Sequence, residues 1–122
     1  RRAHAARLTE GLADVPGLVL PEEVPGREHV WHQYTVRVTE GAAVDRDGAV
    51  AALAARGVGA GIYYPRAVWD HDCYRHHPRV VLDPTPRAEL VAGQVLSLPV
   101  NPRLTPAELD AVVAATREVF RA

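Results

Sequence analysis

The sequence predicts a small two-layer α+β domain, a short sheet of three to four strands with helices packed on one face. Three observations carry that expectation. Val30–Val38 (VWHQYTVRV) alternates in the period-two manner of a half-buried strand. Two later segments open with helix-start signals and continue with apolar residues at helical spacing. Finally, the strand candidates are too few and too short to bury both faces of a sheet, so helices must cover one side. At 122 residues and 48 % hydrophobic content the chain has room for one modest core and one domain.

The elements follow in order. Ala3–Ala13 carries Ala5, Leu8 and Leu12 at helical spacing, and Asp14–Pro16 ends it because proline cannot continue the hydrogen-bond ladder. Leu18–Leu20 is a short apolar strand candidate, and PEEVPGRE is a proline-broken polar loop. In Val30–Val38, Val30, His32, Tyr34, Val36 and Val38 share one face, with Trp31, Gln33, Thr35 and Arg37 on the other. Asp45 caps a helix running to about Arg56, with Val50, Leu53 and Ala54 as its stripe and Gly57 as its stop. Val58–Tyr63 reads as another strand, softened by Gly59 and Gly61. Pro65–Asp83 is irregular, and loops of that length in compact domains are usually functional or mobile. Thr85–Pro86 opens a helix to about Val95, with proline in the first turn, where no backbone donor is needed. Leu96–Val100 is the last strand. Thr105-Pro-Ala-Glu108 is a capping box leading into a helix with Leu109, Val112, Val113, Thr116 and Phe120 on its buried face.

Composition closes off several functions. A net charge of −1 leaves no basic footprint for nucleic acid. No apolar run reaches membrane-spanning length, so no membrane partner is expected. The single cysteine, Cys73, cannot form an internal disulfide, which fits a reducing cytoplasm. Methionine is absent, and Arg1–Arg2 enters what reads as the middle of a helix; the expectation is a piece of a longer protein. Lysine is absent as well, all fourteen basic side chains being arginine. A chain without lysine cannot hold pyridoxal phosphate (PLP) as a lysine Schiff base, and the always-protonated guanidinium is no substitute.

Four segments taken together, VWHQYTVRV, RGVGAGIYYPRAVWDHDCY, PTPRAELVAGQ and VLSLPVNPRLTPAEL, resemble the carboxy-terminal small domain of the DegT/DnrJ/EryC1/StrS family. Those are PLP-dependent enzymes of the aspartate-aminotransferase fold type that mostly transaminate nucleotide-linked keto-sugars. The resemblance covers nearly the whole of residues 1–122 and implies a mostly antiparallel sheet. It also implies that the large domain, with the PLP lysine, the carboxylate facing the pyridinium nitrogen and the phosphate cup, lies outside this chain. No catalytic, cofactor-binding or metal residue is therefore expected here. PLP, the nucleotide-sugar and the amino-acid donor belong to the parent enzyme, as does a homodimer in which the small domain closes one wall of the pocket.

Four side chains are substrate-binding candidates under that resemblance. Tyr63 and Tyr64 match a corner that the family sets close to the nucleotide-sugar, and a phenol suits the work with a flat ring and one hydroxyl. Otherwise one of them packs in the core and the other covers a sheet edge. His32 matches the family's aromatic-His-x-Tyr strand; a hydrogen-bonded structural histidine beside the Tyr63 corner is the preferred reading, and substrate contact is the other. Trp69 stands where the family commonly has histidine, Ala67 where it has a second proline and His71 where it has glutamine, which points to an altered or larger acceptor. Asp70-His71-Asp72-Cys73 with His76-His77 lacks the turn or helix spacing of a tetrahedral zinc site and reads as a solvated loop. The expected function is thus one domain of a sugar aminotransferase. A PLP-dependent sugar dehydratase, a cyclitol aminotransferase and a stand-alone binding module are the alternatives.

Overall fold

A computed structural model describes residues 1–121. In chain order the elements are α1 (Arg2–Leu12), β1 (Leu18–Val19), β2 (Tyr34–Val38), α2 (Arg46–Ala54), a 3-10 turn (Val68–Asp70), α3 (Asp72–Arg75), α4 (Pro86–Gln94), β3 (Val95–Leu98) and α5 (Pro106–Val119). The sheet has three antiparallel strands in the order β1-β2-β3, with Tyr34 opposite Leu98 and Val36 opposite Leu96. The domain is the expected α+β small domain.

One core joins α1, α2 and α5 to a single face of the sheet. Leu8, Leu12, Leu53, Tyr34, Val36 and Leu96 are almost wholly buried in it, and Leu109, Val112, Ala115 and Phe120 of α5 complete it. The capping box of α5 forms in both directions: the Thr105 hydroxyl accepts from the Glu108 N–H, and the Glu108 carboxylate accepts from the Thr105 N–H at 2.7 Å. The Asp45 carboxylate accepts from the Gly48 N–H at 2.7 Å to start α2, and Gly57 at φ 78° turns the chain out of it. α1 and α5 are tied at their edges by Arg7 to Asp110 and by Arg117, which donates to Asp14 and to the Gly11 carbonyl at 2.8 Å.

Four local expectations need correction. First, β2 begins at Tyr34, not Val30, and the alternation fails upstream of it. Trp31 takes a positive φ of 49°, which swings its ring into the core (6 % exposed) while His32 turns outward. The Trp31 ring lies 4.3 Å from His29 and 5.7 Å from Tyr34, measured between centroids. Second, Val58–Tyr63 is not a strand. Without side chains at Gly59 and Gly61 to pack on a pleated surface, it contributes only one bridge, Gly61 to Ser97. Third, the buried face of α2 is Ala49 and Leu53, with Ala54 exposed. Fourth, the long loop is partly ordered: Arg75 donates to the Asp70 carbonyl at 2.8 Å and pairs with its carboxylate, and Arg66 donates to the same carbonyl at 3.3 Å.

Of the four groups with displaced pKa values among the described residues, Asp14, Glu108, Tyr34 and Arg117, the first three bear on how stability varies with pH. Asp14 is held below the ordinary carboxylate range, chiefly by its hydrogen bond from Arg117, and Glu108 chiefly by the Thr105 backbone N–H. Carboxyls lowered on folding add stability above the ordinary carboxylate range and lose it as the pH falls through their lowered values. Tyr34 is pushed up by burial, so its contribution is complete below the ordinary tyrosine range and is lost at higher pH. The melting temperature should therefore carry no signal from these groups between about pH 5 and 9, and should fall below about pH 4 and above about pH 10. Asp14→Asn should flatten the acid limb and leave the alkaline limb unchanged in a pH series of thermal melts. An unchanged acid limb would count against the Arg117 pairing.

Candidate functional site

The Gly61 bridge builds the site. Gly61 N–H donates to the Ser97 carbonyl at 2.9 Å and Ser97 N–H donates back at 2.8 Å, so the chain is pinned to the free edge of β3 just before Tyr63 and Tyr64. Both phenols then project into solvent, 60 % and 75 % exposed. Neither is packed in the core. The Tyr63 ring rests on bare Gly61 backbone: a Cβ on Gly61 would stand 2.9 Å from Tyr63 Cε2.

Two small cavities meet at Tyr63. One, of 180 Å³, is lined by His32, Gln33, Tyr63, Ser97 and Asn101 among others. The other, of 130 Å³, is lined by Gln33, Thr35, Gly61, Tyr63, Tyr64 and Ser97 with Val95 and Leu96. Thr35 and Ser97 stand opposite each other across β2 and β3, with their hydroxyl oxygens 2.9 Å apart. His32 lies beside the Tyr63 corner, but it is exposed and stacked on His29 at 6.3 Å, not the core histidine that the sequence favoured.

Trp69 is not part of this group. It lines a 440 Å³ cavity with Pro65, Arg66, Asp70 and Glu89, and a 310 Å³ apolar one with Tyr74, Val80 and Leu82. Gln33, Thr35 and Ser97 are the residues that sequence reasoning missed. Gln33 and Thr35 had a signal, since they fall on the polar side of the alternating stretch; Ser97 had only its hydroxyl in an otherwise apolar strand. Among the described residues no group of three or more His, Cys, Asp and Glu side chains is placed to hold a metal ion.

Rings, hydroxyls, an amide and an imidazole suit this surface to holding a polar, ring-shaped ligand. A lysine-linked cofactor does not fit the chain, which offers no amine side chain to carry one. The model of the DegT/DnrJ/EryC1/StrS aminotransferase family matches residues 1–117. The chain belongs to that family.

Among its relatives is the dTDP-3-amino-3,4,6-trideoxy-alpha-D-glucose transaminase of Streptomyces venezuelae, 39 % identical over 120 residues, covering 97 % of this chain and 30 % of the relative. The crystal structure of S. venezuelae DesV in complex with a ketimine intermediate matches with a TM-score of 0.83 and 38 % identity, covering 99 % of this chain and 31 % of that one. The structure of DesI in the presence of its TDP-sugar product matches with a TM-score of 0.85 and 26 % identity, covering 98 % and 30 %. The chain thus spans about a third of the curated relatives it matches. Among the described residues, no helix is long and apolar enough to cross a membrane.

Proposed function

We propose that this chain is the carboxy-terminal small domain of a PLP-dependent, cytoplasmic, homodimeric aminotransferase that moves an amino group from an amino acid to a nucleotide-linked keto-sugar. Its part is to form one wall of the sugar-nucleotide pocket with Tyr63, Tyr64 and His32, while Trp69 belongs to the neighbouring wall. The cofactor would supply the electron sink for the amino transfer, on residues of a large domain outside this chain. This domain's residues bind, orient and exclude water.

The observation that carries the reading is the pair of exposed phenols pinned beside a cavity that also holds the Gln33, Thr35 and Ser97 side chains, in a chain of this family. Two adjacent aromatic side chains left in solvent beside a cavity are the kind of exposed patch that a ligand or another surface covers. The same holds for Val68, Tyr74, Val81, Leu82 and Leu90, all at least 45 % exposed between Val68 and Leu90. Contact with a large domain would cover such a face. The names of a relative and of a solved neighbour, a dTDP-sugar transaminase and a protein seen with a TDP-sugar product, favour the sugar acceptor over a cyclitol.

The test compares the 122-residue chain with the whole enzyme, each supplied with PLP, glutamate and a dTDP-linked keto-sugar. The whole enzyme should form the amino-sugar and the lysine-free chain should form none. Turnover by the chain alone would overturn the division of labour.

A further inference from the structure

We propose that the Thr35 and Ser97 hydroxyls, with the Gln33 amide, form a recognition subsite for the hydroxyl groups of a saccharide ring, and that Gly61 is the positioning residue that seats the Tyr63 ring against it. The proposal rests on the sugar-nucleotide reading above and assigns residues that reading does not use.

The floor is built from two strands. Register sets Thr35 of β2 against Ser97 of β3, and their oxygens are 2.9 Å apart. Each hydroxyl has one donor and two acceptor positions, so a single bond between them consumes one donor and leaves the second donor and further lone pairs for a ligand. Ser97 is only 7 % exposed, between the buried Leu96 and Leu98, where an apolar side chain would pack without the cost of desolvating a hydroxyl. Its position fits a different purpose: it lines both cavities that meet at Tyr63, as Gln33 does. Two hydroxyls and an amide beside a phenol ring in a partly apolar cavity suit the hydroxyls and the C–H face of a sugar.

Gly61 completes the argument. Its φ is not in the left-handed region, so the backbone does not demand glycine there. A Cβ there would stand 2.9 Å from the Tyr63 ring, so a side chain at this position would push that exposed ring from its seat. A glycine at the sheet edge thus answers a close approach.

Calorimetry on the whole enzyme, with dTDP-glucose and dTDP as the probes, tests both parts. Wild type should bind dTDP-glucose more tightly than dTDP. Thr35→Val and Ser97→Ala should each lower that ratio by about two- to tenfold, as expected for one lost neutral hydrogen bond, with dTDP affinity unchanged. Thr35→Ser keeps a hydroxyl and should keep the ratio, which separates recognition from a packing defect. Gly61→Ala should lower the ratio by displacing Tyr63. Equal wild-type affinity for the two probes, or an unchanged ratio in the Thr35→Val and Ser97→Ala variants, would overturn the subsite while leaving the aminotransferase reading intact. Binding of neither probe by wild type would overturn both.

Discussion

Trp31→Ala should destabilise the domain by about 3–5 kcal/mol, the range for removing a large buried aromatic side chain. Against a total stability of about 5–15 kcal/mol for a domain of this size, that is a third or more of what holds the fold. The ring is 6 % exposed and touches His29 on one side and Tyr34 on the other. Tyr34 is itself fully buried, and its hydroxyl lies 2.8 Å from that of Thr9, so the loss would open a void at the junction of α1 and the sheet. The backbone adds a second, sharper expectation. Trp31 sits at φ 49°, a conformation that costs a residue with a Cβ about 1–3 kcal/mol and a glycine almost nothing. Trp31→Gly should therefore be no worse than Trp31→Ala, the reverse of the usual order. Urea unfolding of both variants checks it. A loss below about 1 kcal/mol, the scale of an ordinary surface change, would mean the ring is not a core element.

Tyr64→Ala should give the largest functional effect, and it should fall on one substrate. In the whole enzyme, Tyr64→Phe removes one hydroxyl and keeps the ring; losing a neutral hydrogen bond costs about 0.5–1.5 kcal/mol, roughly a two- to twelvefold weakening. Tyr64→Ala also removes the aromatic surface and should cost clearly more. Because Tyr64 is 75 % exposed in this domain, neither change should lower the melting temperature of the 122-residue chain appreciably. The rise should appear in the KM for the keto-sugar and leave the half-reaction with the amino donor nearly intact. Equal losses in both half-reactions would show that Tyr64 supports the fold or the dimer instead.

How much of this could be read from the sequence depended on whether the signal was local. The Thr105–Glu108 box, the Asp45 cap and Pro86 in the first turn of α4 act over three or four residues, and each formed where the spacing put it. Strand alternation held for Tyr34–Val38 but not for Val30, Trp31 and His32, because a positive φ at one tryptophan resets which side its neighbours face. No periodicity rule anticipates that at a bulky residue. Val58–Tyr63 carried an apolar run, yet two glycines left it too little side chain to pack. At the candidate site, Tyr63 and Tyr64 stood out by residue type, and they are exposed together. Thr35 and Ser97 are 62 residues apart and meet only through strand register, which no short motif encodes. Trp69 looked like a neighbour of the tyrosines, but the 3-10 turn at Val68–Asp70 sends it into other cavities.

The most direct measurement follows an isotopically labelled amino nitrogen from glutamate through the whole enzyme, with a dTDP-linked keto-sugar as acceptor and mass spectrometry of the sugar as readout. The account predicts that the label appears on the sugar in the wild type and is much reduced at the same sugar concentration in Tyr64→Ala, with glutamate still consumed in a single turnover by both. A sugar product that has lost water and gained no label would contradict it and make the parent a dehydratase.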